Sequence, residues 1–229
     1  MTKRAQYGFT LVEIAVVLVI IGLLLGGVLK GQELIASARV RHLADQRAAI
    51  EAAFHGFRDR YRAVPGDMPR SDADHAIGAG VTSGGNGNGR VDAHWAEVNA
   101  AWEHLSRAGF IQGSYPGAAQ ASTGRTAPTN VFGGVLVLAH DDGYAGAEAT
   151  RRRLLHLGRN VPAAVARELD VKIDDGRPAT GRLRNAATRG SPLGEAGQSA
   201  PGCTRTGEDG TEIWDVDADV QDCNPTYLF

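Results

Sequence analysis

The sequence predicts an α+β fold in which a long N-terminal helix packs on a small antiparallel sheet with loop-rich insertions. A helical pattern runs without a break from Phe9 to about Tyr61, and short apolar runs bounded by Gly, Pro, Asp or Asn follow only later. Glycine contributes 30 of the 229 residues, which indicates an exterior rich in loops. These observations favour one helix-on-sheet domain that follows a separate N-terminal segment.

The long helix begins with an apolar stretch of membrane-spanning length. Between Phe9 and Leu29 only Thr10 and Glu13 are polar. A helix of this length reaches roughly 30 Å, the thickness of the hydrocarbon core of a bilayer. Because a carboxylate inside a bilayer is costly, Glu13 indicates a function beyond anchoring.

Three interpretations account for this N-terminus. In the first it is a secretory signal peptide, with Lys3 and Arg4 before the apolar core and cleavage after the Ala-Ser-Ala of residues 36–38. In the second it is a plain single-pass anchor that Lys3 and Arg4 hold on the cytoplasmic side. The third, in which residues 1–8 are a short leader that is cleaved before the apolar helix, is the one that also explains Glu13.

The stretch Gly8-Phe9-Thr10-Leu11-Val12-Glu13 resembles the class III leader of type IV pilins and type II secretion pseudopilins. In that family a basic leader ends in Gly, and an aromatic or methionine residue, Thr-Leu-Val/Ile-Glu and an apolar helix follow. All six residues match this pattern position by position. Residues 61–69 and 168–178 resemble segments of one pilin-like subfamily as well. We therefore adopt the third interpretation.

The resemblance implies processing and assembly. A membrane prepilin peptidase and N-methyltransferase would cleave after Gly8 and methylate the new terminus at Phe9. Residues 1–8 would be the leader, 9–62 the long helix and 63–229 a periplasmic or extracellular head. The first part of the helix, residues 9–30, would sit in the bacterial inner membrane and later polymerise with other pilin-like subunits in a helical filament. Glu13 would then meet the N-terminal amine of a neighbouring subunit.

Beyond the membrane the helical pattern continues as one apolar stripe. Its members recur at spacings of three and four residues, with Arg47 as the one interruption: Val40, Leu43, Arg47, Ile50, Phe54, Phe57 and Tyr61. The stripe predicts that this half of the helix packs on the head. Pro65 and Gly66 end it.

The loop from Gly84 to Asp92 is similar to a calcium-binding loop, with oxygen-bearing side chains at alternate positions in Asn86, Asn88 and Asp92. Gly84 stands where the first carboxylate belongs, however, and no Glu follows at the twelfth position. The alternative is a turn capped by asparagine.

A second candidate calcium site lies near the C-terminus. Asp215, Asp217 and Asp219 alternate with apolar residues from Trp214 to Val220, which predicts a half-buried strand with an acidic face. Similar pseudopilins bind calcium near their C-terminus. The alternative is a solvated acidic edge strand.

Five further elements are predicted from local patterns. They are an amphipathic helix from Ala93 to Leu105, a buried strand Val131–Ala139, a charged strand edge at Arg151–Arg153, a short helix 161–169 capped by Asn160, and a hairpin turn at Asp174–Gly176. A patch for acidic lipid or nucleic acid is the alternative at the three arginines. Residues 185–202 are predicted to be a mobile loop.

Cys203 and Cys223 are the only cysteines. In an exported head they predict one disulfide, because oxidising compartments favour pairing. A disulfide that closes a loop of this size would stabilise the folded protein by roughly 3 kcal/mol in the chain-entropy model.

Composition and motifs limit the classes of function that this chain can have. A net charge of −2 does not favour nucleic-acid binding. The seven histidines form no H-E-x-x-H motif, and no nucleophile elbow or phosphate-binding loop occurs, so we expect no enzyme. The resemblance favours a minor pilin or pseudopilin over a major pilin, because Gly26 and Gly27 lie where many pilins carry a proline. The rival is a membrane-tethered periplasmic binding or catalytic domain.

Overall fold

The computed structural model describes residues 10–78, 80–187 and 191–229. The helices are α1 (Leu11–Tyr61), α2 (Arg70–Ile77), α3 (Trp95–Arg107) and α4 (Ala163–Ile173), and the strands are β1 (Val137–Asp141), β2 (Arg152–His156), β3 (Leu183–Asn185), β4 (Thr204–Thr206), β5 (Glu212–Trp214) and β6 (Pro225–Leu228). The predicted α+β class, with its long N-terminal helix and small antiparallel sheet, is confirmed. The described residues belong to two compact units, which divide after Arg39.

In the second unit, α1 buries the predicted stripe. Val40, Leu43 and Phe57 are fully buried, and they join the core with Ile50 and Phe54. Arg47 does not interrupt the packing. Its guanidinium lies 4.3 Å from the centre of the Tyr227 ring and pairs with Glu51 at 2.6 Å. The guanidinium therefore stacks on the Tyr227 ring of the sheet, and the Glu51 carboxylate compensates its charge.

The main sheet has the strand order β1-β2-β6-β3, and every neighbouring pair is antiparallel. Leu155 on β2 pairs with Leu138 on β1 and with Tyr227 on β6. Phe229, which follows β6, packs against Phe54 of α1 with ring centres 5.8 Å apart. The helix thus supplies the apolar cover that a small sheet needs on one face.

The second sheet is the hairpin of β4 and β5, and a disulfide holds it to the start of β6. Cys203 and Cys223 are bonded, with their Cα atoms 5.6 Å apart, as predicted. The indole Nε1 of buried Trp214 donates to the Asp170 carboxylate of α4 at 2.7 Å. The hairpin is therefore tied both to β6 and to α4.

The predicted strand Val131–Ala139 is wrong at its beginning, because β1 starts only at Val137. Before it, the side chain of Asn130 organises a turn by accepting from the backbone N–H groups of Phe132 and Gly134 at 2.8 and 2.9 Å. Gly133 takes a positive φ of 83° within this turn. An apolar sequence is thus held out of the sheet by one polar side chain.

The three arginines do not mark a sheet edge. β2, which begins at Arg152, lies between β1 and β6. Arg151 and Arg152 are nevertheless exposed. The prediction was wrong because charge at the start of a strand does not reveal whether that strand has two neighbours.

The helix predicted at 161–169 is displaced, since α4 begins at Ala163 after Pro162 and runs to Ile173. Asn160 is no cap. It has a φ of 67°, and its N–H donates to the Asp222 carboxylate at 3.0 Å. Pro162 stands at the N-cap with an extended ψ of 142°, so the helix begins only at the next residue, past Asn160.

The predicted hairpin turn at Asp174–Gly176 instead ends α4. The carboxylate of Asp174 accepts from the backbone N–H of Leu183 at 2.8 Å, which fastens the helix end to β3. In the segment predicted as a mobile loop, residues 194–197 form a 3-10 turn, and the Asn224 side chain donates to the Ala196 carbonyl at 2.8 Å. Side-chain hydrogen bonds to other parts of the head therefore hold both the end of α4 and residues 194–197 in place.

Candidate functional site

The first turn of α1 is closed by a reciprocal pair of hydrogen bonds. The backbone N–H of Glu13 donates to the Thr10 hydroxyl at 3.2 Å, and the backbone N–H of Thr10 donates to the Glu13 carboxylate at 3.5 Å. This is a capping box, and it explains why the helix begins at Leu11. Gly8 and Phe9, the predicted processing site, lie outside the described residues.

The apolar half of α1 has no cover within its unit. Leu11 is 90 % exposed, and the large apolar side chains from Val12 to Ile35 are exposed as well. Among the residues that the structure describes, α1 is the one helix long and apolar enough to cross a membrane. A surface of this size needs lipid or other apolar helices around it.

Four glycines leave open space on this helix. Apart from adjacent residues and the backbone of its own helix, a Cβ atom added at Gly22, Gly26, Gly27 or Gly31 would meet no atom within 4 Å. The spacings 22/26 and 27/31 permit close approach of another apolar helix. Together with Glu13, these residues make the apolar half of α1 the candidate assembly site.

Two regions were predicted to bind calcium, and the structure brings further carboxylates to the first. Asp67 accepts from the backbone N–H groups of Asn88 and Gly89 at 2.9 and 2.7 Å. The side-chain amides of Asn86 and Asn88 donate to Asp92 at 3.0 and 2.8 Å. The predicted residues are thus close together, and Asp67 contributes from a distant part of the chain.

Glu97 of α3 is the second carboxylate that sequence reasoning missed. It is buried, and it accepts from the backbone N–H of Asp92 at 2.7 Å and from the amide of Asn86 at 2.9 Å. Burial raises the pKa of Glu97, and the carboxylates of Asp92 and Asp67 add to the rise. Ligand atoms of Asp92, His94 and Glu97 lie within 4.8 Å of one another.

Calcium binding at Asn86, Asn88 and Asp92 stays a prediction, now with two more carboxylates available. Asp67 follows the Pro65-Gly66 end of the long helix, and Glu97 lies within the amphipathic helix α3. No local pattern links either residue to the loop. Oxygen ligands of this kind suit Ca²⁺ chemically.

The second predicted set lacks the strand on which it was based. β5 ends at Trp214, and residues 216–219 form a turn in which Asp219 has a φ of 50°. Asp215 and Asp217 pair with Arg205 at 3.3 and 3.4 Å. The three aspartates do not share a strand face, so calcium at Asp215, Asp217 and Asp219 stays a prediction without its structural premise.

Comparison with known families places the first turn of α1 in a recognised motif. Residues 3–29 match the prokaryotic N-terminal methylation motif. Comparisons with curated proteins and with solved structures give no match. The motif covers residues 3–8 of the predicted leader, the predicted cleavage site, Glu13 and the apolar helix up to Leu29. The chain therefore carries the class III prepilin leader of the type IV pilin and pseudopilin family.

Proposed function

We propose that this chain is a minor pilin or a pseudopilin, a structural subunit of a type IV pilus or of a type II secretion filament. The observation that carries the proposal is the methylation motif over residues 3–29, which lies across the border between leader and helix. Such a motif implies processing by a prepilin peptidase and assembly with other pilin subunits. The motif family is structural rather than catalytic.

The exposed apolar half of α1 gives this function a physical basis. A prepilin leader followed by an apolar helix fits anchoring in a membrane. In the proposed pathway the chain first spans the bacterial inner membrane once, with residues 63–229 as a periplasmic head. Neighbouring apolar helices then replace lipid around residues 9–30 as the filament grows.

The rival is a tethered binding or catalytic domain that uses α1 only as an anchor. An anchor gains nothing from a carboxylate at bilayer depth, whereas a filament can use it to pair with an incoming amine and fix the register. The capping box gives Glu13 a local function too. Charge and capping must therefore be separated by experiment.

A cleavage-blocked variant tests the proposal in cells that contain the assembly machinery. We expect the intact mass of the wild-type protein to fit a chain beginning at methylated Phe9, and the protein to co-purify with filaments. Gly8→Val should keep its leader and stay in the membrane fraction. A mature terminus at Arg39 would support the signal-peptide interpretation. Processed protein that stays in the membrane while other subunits assemble would support the tethered domain.

A further inference from the structure

A cleft of about 380 Å³ at one end of the main sheet is lined by positive side chains. The loop before α3 forms one wall, held to β1 by the His140 N–H, which donates to the Val91 carbonyl at 2.6 Å. The residues that line this basic cleft are Asn88, Gly89, Arg90, Val91, His140, Arg151, Arg152, Arg153 and Phe229. Four arginines therefore share one small cavity.

The positive charge of the basic cleft is poorly compensated. Arg90 pairs with Asp92 at 3.0 Å, and among the described residues this is the one ion pair that the four arginines make. Arg153 is fixed over the rings of Phe54 and Phe229 at 4.2 and 5.6 Å. Burial lowers the pKa of His140, and Arg90, Arg151 and Arg153 lower it further against the opposing effect of Asp92. The cleft is thus a preformed site for an anionic group.

The same chain carries a strongly acidic surface. The acidic segment, residues 204–222 between the two cysteines, contains seven carboxylates and one arginine. Glu208, Asp209, Asp217 and Asp219 are exposed. Arg205 offsets part of this charge through Asp215 and Asp217. The disulfide and the bond from Trp214 to Asp170 fix the segment on the head.

The two surfaces lie at opposite ends of β6. Cys223, which closes the acidic segment, precedes this strand, and Phe229 of the basic cleft follows it. Six residues of extended chain span about 20 Å, so the two ends of this strand are separated by more than a Debye length at physiological salt. Among the described residues no ion pair joins them. Within one chain, therefore, no described ion pair uses the charge of one surface to compensate that of the other.

We propose that the basic cleft of one copy binds the acidic segment of a second copy, so that heads associate head to tail. This inference rests on the proposed function, because such a contact uses a different surface on each partner and extends into open filaments without closing. Charge complementarity favours a second copy over an unrelated anion, since both halves of the contact are present on one chain. The contact would set the orientation of the heads and add to the packing of the apolar helices.

Charge reversal with rescue tests the proposal on the full chain in detergent, with self-association measured by sedimentation velocity at low and high ionic strength. Variant one carries Arg151→Glu and Arg152→Glu, and variant two carries Glu208→Lys and Asp217→Lys. All four side chains are exposed. We expect each variant alone to associate about tenfold more weakly than wild type at low ionic strength. An equal mixture of the two, and a chain with all four substitutions, should recover wild-type association.

The control carries Arg125→Glu and Arg167→Glu, which change the net charge by the same amount as variant one but lie outside the cleft. It should associate like wild type. Every variant must retain its disulfide and its melting temperature. If variant two associates like wild type, or if the mixture shows no recovery, the contact is overturned and the basic cleft binds another anion. Normal incorporation of the unrescued variants into filaments would also overturn the head contact, while the subunit function would stand.

Discussion

His156 is a buried histidine that cannot take up a proton without cost. It is fully buried on β2, and its Nδ1 atom lies 2.7 Å from the hydroxyl of Thr226 on β6. Burial lowers the pKa of His156 to about 3. In an unfolded chain a histidine titrates near its ordinary value of about 6.5. Below that pH the unfolded state binds a proton that the folded head does not, so stability is lost as pH falls.

His156→Asn tests this prediction, because asparagine can keep a polar group near Thr226 without titrating. As pH falls from 6.5 to 5, we expect the contribution of His156 to the slope of unfolding free energy to rise from about 0.7 to about 1.4 kcal/mol per pH unit, and this contribution is absent from the variant. Denaturant unfolding followed by tryptophan fluorescence measures both slopes. Asp170, whose pKa burial raises to about 6, titrates in both proteins and cancels from the comparison. Equal slopes would contradict a neutral buried His156.

Among the elements, the turn at Asn130 decides where the main sheet begins. Besides closing its own turn, the amide of Asn130 donates to the Leu157 and Arg159 carbonyls at 2.8 and 3.0 Å. One buried side chain thus connects the approach to β1 with the loop that leaves β2. Its removal would leave several buried backbone groups unpaired.

Asn130→Ala should therefore lower the unfolding free energy by roughly 3 kcal/mol. The exposed control Gln112→Ala should change it by less than about 0.5 kcal/mol. Denaturant unfolding of both variants in the same buffer measures the difference. A loss no greater than that of the control would mean that apolar packing alone positions β1.

The disulfide also fixes the relative position of secondary-structure elements. Both cysteines are buried, and they close a loop that includes β4 and β5. Thiol labelling of denatured, unreduced protein should detect neither cysteine, and labelling after reduction should detect both. The paired Cys203→Ser and Cys223→Ser variant should lose roughly 3 kcal/mol of stability. Labelling without reduction would show that packing alone holds the loop.

What the sequence predicted well depends on local periodicity. The 3.6-residue repeat located α1 and α3, because apolar spacing reports directly on one buried helix face. Strand β1, helix α4 and the turn at Asp174–Gly176 were misplaced, because Asn130, Asp222 and Asp174 accept from backbone N–H groups that the local patterns do not reveal. Asp67 and Glu97 were missed for the same reason. The candidate assembly site was predictable, since its motif is contiguous.

At the scale of the whole molecule, the two units have different tasks. Residues up to Arg39 expose an apolar helix surface, whereas Val40–Phe229 enclose a core of their own. The central claim is that the first unit assembles with its counterparts and that the charge of Glu13 takes part. The hydrogen bonds that the structure describes for Glu13 lie within the first turn of α1, whereas the head encloses a core of its own. Its folding should therefore be independent of this carboxylate.

The most direct test compares three variants of the capping box at equal membrane levels, with incorporation into filaments as the readout. Glu13→Gln can still cap the helix but has no charge, Glu13→Val loses both, and Thr10→Ala keeps the charge while weakening the cap. Loss of a buried charge pair costs about 3 kcal/mol, roughly 100-fold in an equilibrium constant. We therefore expect Glu13→Gln and Glu13→Val to abolish most incorporation into filaments, and Thr10→Ala to retain it. Membrane insertion and the stability of the head should be unchanged in all three variants. Incorporation of Glu13→Gln at the wild-type level would contradict a role for the Glu13 charge in assembly.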